Sequence, residues 1–375
     1  MKKSVFLIFG TRPEAIKMYP VYKALKKKVN IALKVIITSQ HQEMLKQVLD
    51  IFEIPVDYDL NVMEEKQSLT QITVKVLEGL RTILQRDRPD LVLVHGDTTT
   101  TFSASLACFY EKIPVGHVEA GLRTFEKFSP YPEEMNRKLT DTLSDVFFAP
   151  TKIAEDNLKK EGIRESLIFV TGNTVVDALL EIINRDIDID LPFKGNYKII
   201  VVTAHRRENW GKPMENICEA IDSLSTKYSG EVKFIFSVHK NPIVRETVNK
   251  ILGANKDVHL IEPMDYIKFV HLISKSFIIL TDSGGIQEEA PTLKKPVLLL
   301  REVSERPEGI ESGVVKIIGT KKEDIINNVV CLLEDNTLYS KMVSQKNPFG
   351  DGHAGERIAE IVEKFVFGGG TYGIS

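Results

Sequence analysis

The sequence predicts an α/β protein built from two Rossmann-like domains of parallel β-sheet. Short apolar runs rich in Val, Ile, Leu and Phe alternate along the chain with longer amphipathic segments. Such runs are typical of strands that are buried on both faces of a parallel sheet and connected by helices. The runs form two series, and a chain of 375 residues is long enough for two or three domains of about 150 residues each.

The first series predicts six strands with helices between them. Each run has four to six residues, a length typical of strands. The strands are predicted at residues 5–9, 33–38, 91–95, 114–118, 146–149 and 167–170. The segments between these runs have helical periodicity, and we predict helices at residues 14–28, 42–52, 68–85 and 153–161.

The second series predicts five further strands. They are expected at residues 199–203, 233–238, 258–261, 277–281 and 296–300. A polar segment, residues 184–197, precedes this series and contains Pro192 and Gly195, which is typical of a loop that leads into a new sheet. We therefore predict a first domain of residues 1–170 plus a C-terminal helix in 355–375, and a second domain of residues 171–354.

Composition excludes several classes of protein. The chain has 49 Lys and Arg against 52 Asp and Glu, so it lacks the basic excess of proteins that bind nucleic acids through a positive face. Its three cysteines, Cys108, Cys218 and Cys331, have no paired spacing, which argues against a disulfide framework and a Cys-based zinc site. No apolar run approaches the length of a membrane span. We expect a soluble, cytoplasmic protein.

The segment after the first strand is suited to binding an anion. Ligands of parallel sheets bind at the carboxyl ends of the strands. Gly10 permits a tight turn there, and Pro13 fits the first turn of a helix. A helix N-terminus flanked by Arg12 and Lys17 suits a phosphate. The alternative is a basic helix start on the surface.

Three carboxylates follow strands of the first domain or begin a helix. Asp97 follows strand 91–95, Glu119 follows strand 114–118, and Glu133 lies in the first turn of a helix that begins near Pro132. Structural alternatives exist for two of them, since Asp97 could cap a helix and Glu133 could complement a helix dipole. For His117, a hydrogen-bonded core histidine is the favoured interpretation.

The second domain has a comparable set of strand-end groups. His205 follows strand 199–203, and His239 follows strand 233–238. After strand 277–281, Ser283, Gly284 and Gly285 open a helix whose amides can close on phosphate oxygens without a Cβ in the way. Two further residues could complete a nucleotide site, with Glu289 at a ribose diol and Arg306 at a phosphate.

Together these groups predict an enzyme that binds a nucleotide-diphosphate ligand. The second domain would hold the diphosphate, and the first would supply carboxylates for acid–base chemistry in a cleft between the domains. The eight histidines are scattered, with no H-x-x-x-H pair, and neither a P-loop nor a G-x-G-x-x-G fingerprint is present. The sequence therefore predicts no metal site and no dinucleotide cofactor.

Eight segments carry a resemblance to a known family. The sequence resembles the bacterial non-hydrolysing UDP-N-acetylglucosamine 2-epimerases. The matching segments, in chain order, are GTRPEAIKM (10–18), GDTTTT (96–101), HVEAGLRT (117–124), PEEMNR (132–137), TGNTVVDA (171–178), TAHRREN (203–209), DSGGIQEEAP (282–291) and ERPEG (305–309).

The resemblance implies a fold and a reaction. The fold is GT-B-like, with two Rossmann-like domains around a deep cleft and a last helix that returns to the first domain. The reaction is the reversible conversion of UDP-GlcNAc to UDP-ManNAc, through elimination of UDP to 2-acetamidoglucal and re-addition. The resemblance also implies a homodimer, no cofactor and no metal. The usual destination of the product is cell-envelope polysaccharide.

Residue by residue, the resemblance implies three groups of site residues. The catalytic residues are Asp97, Glu119, Glu133 and His205. The residues expected to bind UDP and the substrate are Arg12, Lys17, Phe269, Ser283, Gly284, Gly285, Glu289 and Arg306. A second UDP-GlcNAc acting as activator would contact Gln40, Glu43, Lys66 and His239. Which carboxylate removes the proton in each direction is left open.

Three alternative functions remain at this point. A hydrolysing relative would release ManNAc and UDP, but the GDTTTT, HVEAGLRT and TAHRREN segments fit the non-hydrolysing group better. A GT-B glycosyltransferase would need an acceptor site, and the first domain lacks the basic amphipathic helix common in such enzymes. A non-catalytic sensor of nucleotide sugars has no need for Asp97, Glu119, Glu133 and His205 together.

Overall fold

The computed structural model describes residues 2–39, 42–64, 67–185, 187–304 and 306–368. The chain divides into two compact units. The first comprises Met1–Ala178 and Phe349–Ser375, and the second comprises Leu179–Pro348. No helix in the described parts of the chain is both long and apolar enough to cross a membrane.

The first unit contains a seven-stranded parallel sheet with helical connections. Its strand order is β3-β2-β1-β4-β5-β6-β7. The elements are β1 (Lys3–Phe9), α1 (Arg12–Lys26), β2 (Ile31–Ile37), α2 (Gln42–Phe52), β3 (Tyr58–Asp59), α3 (Leu69–Asp87), β4 (Leu91–His95), α4 (Thr99–Tyr110), β5 (Val115–Val118), α5 (Glu133–Leu143), β6 (Val146–Ala149), α6 (Lys152–Lys160), β7 (Ile168–Val170) and the start of α7 (Thr174–Ile183).

The second unit contains a six-stranded parallel sheet of order β10-β9-β8-β11-β12-β13. Its elements are β8 (Lys198–Thr203), α8 (Lys212–Lys227), β9 (Val232–Ser237), α9 (Pro242–Leu252), β10 (Val258–Ile261), α10 (Tyr266–Lys275), β11 (Ile278–Thr281), α11 (Gly284–Glu289), β12 (Val297–Leu299), α12 (Pro307–Glu311), β13 (Val315–Ile317), α13 (Lys322–Glu334) and α14 (Asn336–Val343). A last helix, α15 (Ala354–Val366), returns to the first unit.

The apolar runs form the centres of both sheets, as predicted. Val5 to Phe9 of β1 are at most 1% exposed, and Val5 lies in parallel register with Leu33 of β2 and Leu91 of β4. Strands that are covered by helices on both faces cannot alternate apolar and polar residues, which explains the continuous apolar runs.

The strand orders identify where each unit can bind a ligand. In the first sheet the order reverses between β1 and β4, and in the second between β8 and β11. The connections leave such neighbouring strands toward opposite faces and open a crevice at their carboxyl ends. The loops at these positions are 10–11 and 96–98 in the first unit and 204–206 and 282–283 in the second. They contain three of the predicted site residues, Asp97, His205 and Ser283.

The unit boundaries differ from the predicted boundaries by six to eight residues. Residues 171–178 and 349–354 pack with the first unit because hydrogen bonds join them to its elements. The Asn173 amide donates to the Phe349 carbonyl at 2.7 Å, and the Gly355 amide donates to Asp177 Oδ1 at 2.8 Å. Arg357 Nη1 donates to the Thr171 carbonyl at 3.0 Å. These bonds fasten α15 to the start of α7.

Helix α15 also packs closely on α1, and Gly355 is the point of contact. A Cβ built on Gly355 would lie 2.6 Å from the Pro20 carbonyl oxygen, which is backbone and cannot move aside. Ala normally stabilises a helix relative to Gly by up to about 1 kcal/mol. Here the clash with the Pro20 carbonyl makes the substitution destabilising. We expect Gly355→Ala to lower the free energy of unfolding by about 1–3 kcal/mol, measured by urea denaturation.

Glu360→Ala is the matched control, since Glu360 lies on the exposed face of the same helix. It should leave the urea midpoint almost unchanged. A Gly355→Ala protein as stable as the parent would show that α15 does not pack against α1 in this way.

Candidate active site

Glu14 fixes the loop after β1 against the start of α4. This side chain is buried, and each of its two oxygens accepts hydrogen bonds from a different segment. Oε2 accepts the backbone amides of Gly10 and Thr11 at 2.9 and 2.7 Å. Oε1 accepts the hydroxyls of Thr98 and Thr101 at 2.7 and 2.9 Å. The carboxylate thus ties the two loops at the crevice of the first sheet together.

The threonine run after β4 is explained by this interlock. Thr98, the N-cap of α4, accepts the Thr101 amide at 3.1 Å, so the alternative interpretation of Asp97 as the helix cap is wrong. Thr100 bonds to Thr38 across the crevice at 2.8 Å. A Cβ on Gly10 would lie 2.0 Å from the Thr38 hydroxyl. Close packing here requires a glycine on one side and small hydroxyl side chains on the other.

Glu119 stands at the end of β5 in a constrained conformation. Its φ is 68°, in the left-handed region that non-glycine residues seldom occupy and that recurs at functional sites. Its Oε2 lies 2.5 Å from Lys17 Nζ and accepts from Asn173 Nδ2 at 3.0 Å. The side chain is 9% exposed. Two donors from separate elements therefore orient this carboxylate, and the sequence analysis did not identify Asn173 as one of them.

His95 is a second residue that the sequence analysis missed. It is the last residue of β4 and is 3% exposed. Its Nε2 lies 3.7 Å from Glu119 Oε2, and neither ring nitrogen has a hydrogen-bond partner among the described residues. A histidine at the end of an otherwise apolar strand was the available signal. Its position beside Glu119 depends on the pairing of β4 with β5.

Asp97 and Glu133 are linked through α5. Asp97 Oδ2 accepts a short hydrogen bond from Arg137 Nη2, and the Asp97 carbonyl accepts from Asn136 Nδ2 at 3.0 Å. Both donors belong to α5, whose first residue is Glu133. The next residue, Glu134, accepts the backbone amides of Thr124 and Phe125 and also Arg137 Nη1 at 3.1 Å. Helix α5 therefore holds Asp97 and presents Glu133 from one rigid element.

Arg12 and Lys17 lie on α1, as predicted. The helix begins at Arg12, with Thr11 as N-cap and Glu14 completing a capping box. Lys17, about one and a half turns further along, reaches Glu119. The basic start of α1 and the carboxylate after β5 thus meet within the first unit.

In the second unit, Asp282 organises the loop that carries His205. Asp282 follows β11 and is fully buried. Its Oδ2 accepts the amides of His205 and Arg206, each at 2.8 Å, and Asn209 Nδ2 at 3.0 Å. His205 Nδ1 lies 3.2 Å from Asp282 Oδ1, and the histidine side chain is 41% exposed. The imidazole is held by Asp282 on one side and open on the other.

The charge of Asp282 is stabilised despite its burial. Burial by itself raises the pKa of this carboxyl group, but the interaction with the His205 side chain 3.2 Å away and the amides of Arg206 and His205 outweigh that effect. The net result is a pKa below the ordinary value. A buried carboxylate with several donors behaves in this way.

His239 lies against His205. The two rings stack with centroids 5.4 Å apart and an angle of 15° between their planes. Burial lowers the pKa of His239, and repulsion from His205 lowers it further. The sequence had assigned the two histidines to different sites, and the structure places them in direct contact.

The start of α11 leaves its backbone open. Ser283 is the N-cap of this helix and makes no side-chain cap bond. No heavy atom of the described residues comes within 4 Å of a Cβ built on Gly285, and the nearest to one on Gly284 is Arg206 Nη2 at 3.6 Å. Packing within the protein therefore does not require these glycines. A ligand that approaches this backbone closely would require glycine here, because a Cβ would stand in its way.

The remaining predicted residues of the second unit lie on α10, on α11 and at the start of α12. Glu289 accepts from the Tyr266 hydroxyl at 3.0 Å, and Arg306 Nε donates a short hydrogen bond to Glu288. Phe269 is partly buried and packs against the apolar cluster under α10 and α11. Tyr266 is a neighbour that the sequence did not single out. Gln40, Lys66 and the side chain of Glu43 lie outside the described residues.

The two sheets and their strand-end groups define the class of protein. It has two Rossmann-like α/β domains of parallel sheet, with the GT-B-like fold class that was predicted. One unit presents buried and partly buried carboxylates, and the other presents an open helix start beside a histidine–aspartate pair.

Sequence comparison identifies the family. The family described as UDP-N-acetylglucosamine 2-epimerase matches residues 23–363, and the chain belongs to this family. The UDP-N-acetylglucosamine 2-epimerase of Escherichia coli K12 is 50% identical over 369 residues, covering 96% of this chain and 98% of the relative. The enzyme of Neisseria meningitidis serogroup A is also 50% identical, with 96% and 99% covered.

Solved structures agree with this assignment. The crystal structure of the Neisseria meningitidis UDP-GlcNAc 2-epimerase bound to UDP-GlcNAc has a TM-score of 0.87 at 49% identity, covering 96% of this chain and all of that one. A Methanocaldococcus jannaschii UDP-GlcNAc 2-epimerase in complex with UDP-GlcNAc and UDP has a TM-score of 0.78 at 37% identity, covering 96% and 99%.

Proposed function

We propose that this protein interconverts UDP-GlcNAc and UDP-ManNAc without hydrolysis, by eliminating UDP and adding it back. The observation that carries the proposal is the Glu119 carboxylate, which Lys17 and Asn173 orient at the end of β5. A base that is held in one orientation by two donors is what removal of a weakly acidic C–H proton requires.

The substrate's chemistry explains why elimination is needed. Carbon 2 of UDP-GlcNAc bears no carbonyl neighbour, so its proton is too weakly acidic for simple abstraction. When a carboxylate takes this proton, the C–H electrons form a double bond between carbons 1 and 2. The bond from carbon 1 to the phosphate oxygen breaks, and UDP leaves with that electron pair. Reprotonation on the other face and attack of UDP on carbon 1 then give UDP-ManNAc.

The first unit supplies the acid–base groups in this proposal. Asp97, Glu119 and Glu133 are the candidates for removing and returning the proton on the two faces of carbon 2. Lys17 neutralises the charge of Glu119 in the resting state, and Arg137 does the same for Asp97.

The second unit supplies the groups that hold the departing diphosphate. Ser283, Gly284 and Gly285 would bind the phosphates at the start of α11, where the glycine amides would donate hydrogen bonds to phosphate oxygens, as amides at helix N-termini do. The Ser283 amide already donates to Thr281 Oγ1 at 3.0 Å. His205 would donate to the leaving oxygen. We assign Glu289 to the ribose and Phe269 to the uracil. We assign Arg306, and Arg12 of the first unit, to phosphate binding.

The product distribution tests this function directly. The purified protein is incubated with UDP-GlcNAc and followed by proton and phosphorus NMR. We expect UDP-ManNAc to form, with the total amount of nucleotide sugar conserved. Accumulation of free ManNAc and UDP would instead identify a hydrolysing enzyme. No change at high UDP-GlcNAc would contradict epimerase activity.

Three further properties belong to the same proposal. We propose a cytoplasmic homodimer, whose mass by light scattering would be twice the 42.3 kDa of the chain. We also propose that Gln40, Glu43, Lys66 and His239 contact a second, activating UDP-GlcNAc. The stacking of His239 on His205 supports coupling of such a site to the diphosphate site. The product would serve cell-envelope polysaccharide synthesis.

A further inference from the structure

A buried histidine–aspartate pair connects the elements that carry the three candidate acid–base groups. His117 on β5 and Asp141 on α5 are both almost fully buried. His117 Nδ1 lies 2.6 Å from Asp141 Oδ1, and His117 Nε2 lies 2.7 Å from the Gly96 carbonyl oxygen. The core-histidine interpretation of His117 is therefore confirmed. The partners of the ring indicate a further role.

The hydrogen-bond partners determine where the protons are. A carbonyl oxygen can only accept, so Nε2 must carry a proton and donate it to Gly96. On the other side, Asp141 Oδ2 already accepts from Arg123 Nη2 at 2.7 Å and from the Gly121 amide at 3.3 Å. These donors favour the carboxylate, so the proton between Nδ1 and Oδ1 belongs to the ring. His117 Nε2 is then the donor to the Gly96 carbonyl, while Nδ1 faces Asp141.

The surroundings of Asp141 support this assignment. Burial alone raises the pKa of Asp141, but attraction and hydrogen bonding from His117 and Arg123 outweigh it and leave the pKa below its ordinary value. Arg123 is itself held by Glu161, at 2.9 Å from Nε and 2.6 Å from Nη2. The pair is thus one part of a compact, charge-balanced network.

The network spans the three site elements of the first unit. Gly96, which accepts from His117, directly precedes Asp97. Glu119 follows His117 by two residues at the end of the same strand. Asp141 is on α5, which begins at Glu133, about two helical turns earlier. The 96–97 backbone is also held by the Gly96 amide, which donates to the Val118 carbonyl at 3.0 Å, and by Asn136, which donates to the Asp97 carbonyl. Displacing the His117 ring would remove the hydrogen bond to the Gly96 carbonyl and let Asp97 shift relative to Glu119.

We propose that His117 is a positioning residue for epimerisation, which acts by donating a hydrogen bond from Nε2 to the Gly96 carbonyl and so fixes Asp97 relative to Glu119. The proposal rests on the proposed function. His117 does not itself contact substrate, because it is fully buried. Its effect should therefore be on kcat and not on binding of UDP-GlcNAc.

Two amide substitutions separate the two hydrogen bonds of the ring. In His117→Asn the side-chain amide occupies the place of Nδ1 and can contact Asp141 but cannot reach Gly96. In His117→Gln the amide occupies the place of Nε2 and can still donate to Gly96. Both variants lose the imidazole ring and one hydrogen bond, so a purely structural role predicts similar losses of stability and activity for the two.

The experiment measures kcat, KM for UDP-GlcNAc and the urea midpoint of both variants beside the wild type. We expect His117→Asn to lower kcat about 100-fold, as small misplacements of catalytic groups do, with little change in KM. His117→Gln should recover most of that loss at a similar urea midpoint. Equal loss of kcat in the two variants, or full activity in His117→Asn, would overturn the proposal.

A second variant decides the question if His117→Asn does not fold. In Asp141→Asn the new amide can donate to Nδ1, which keeps the proton on Nε2 and the bond to Gly96. We expect kcat to be largely retained although stability falls. A folded Asp141→Asn protein that loses about 100-fold in kcat would contradict the proposal. A wild-type protein that does not epimerise UDP-GlcNAc would refute the proposed function instead.

Discussion

Replacing Glu119 by Gln is expected to lower kcat by about 10²–10⁴-fold, the usual contribution of a general base or acid. Gln has nearly the shape of Glu, and its carbonyl oxygen can still accept from Lys17 and Asn173. It cannot take a proton from carbon 2. The fold and the orientation of the side chain should survive while the chemical step is lost. Asp97→Asn and Glu133→Gln should behave in the same way.

Binding of UDP separates this explanation from unfolding. Titration calorimetry should give nearly the same UDP affinity for Glu119→Gln as for the wild type, because the groups proposed to hold UDP are mainly in the other unit. Glu78→Gln is the control. Glu78 lies on the exposed face of α3, and its substitution should change neither kcat nor UDP affinity. Wild-type turnover in Glu119→Gln would remove this residue from the mechanism.

Replacing Asp282 by Asn is expected to have the largest effect in the second unit. Asp282 is fully buried, and its Oδ2 accepts from His205, Arg206 and Asn209. An amide in its place can keep its carbonyl oxygen at the position of Oδ2, but it removes the charge that these donors stabilise and puts an NH₂ group where Oδ1 faces His205. We expect a loss of about 3 kcal/mol in the free energy of unfolding. UDP affinity should fall as well, because the loop carrying His205 is no longer held.

The effect of Asp282→Asn should depend on pH. The pKa of Asp282 is lowered in the folded protein from an ordinary value of 3.8. Its charge therefore stabilises the fold fully above about pH 4–5, and the stabilisation is lost as pH falls through the lowered pKa. Urea denaturation at neutral pH and below pH 4 should show the difference between wild type and variant shrinking with acid.

Asp188→Asn is the matched control in the same unit, since the Asp188 side chain is 99% exposed. It should leave both stability and UDP affinity unchanged at every pH. If Asp282→Asn is no more destabilising than this control, the loop of His205 is held by other contacts.

The apolar runs predicted the central strands and the edge strands β7 and β10, but they missed the edge strands β3 and β13. Strand β3 has two residues, Tyr58 and Asp59, and β13 is the three-residue Val315–Ile317 with Lys316 at its centre. Edge strands are covered on fewer sides, so they need neither length nor continuous apolar sequence. Their pairing depends on the neighbouring strand and not on their own composition.

The strand-end rule located the loops of the site, but it could not determine which side chains meet. Asn173 follows β7, two strands away from β5 in the sheet, and its contact with Glu119 exists only in the folded unit. Asp97 was assigned an alternative role as a helix cap, whereas the adjacent Thr98 caps α4. Asp97 and Thr98 are both good N-cap residues by type. The turn between β4 and α4 determines which of the two side chains faces the helix amides, and local sequence does not specify that turn.

The central claim is that UDP leaves carbon 1 when the proton leaves carbon 2. The most direct test uses UDP-GlcNAc labelled with ¹⁸O in the bond between carbon 1 and the β-phosphate, incubated with the protein in D₂O. We predict deuterium at carbon 2 of the UDP-ManNAc formed, together with ¹⁸O that has moved into non-bridging positions of the β-phosphate. Deuterium at carbon 2 with all of the ¹⁸O still in the bridging position would contradict elimination and show that the proton is removed while UDP stays attached.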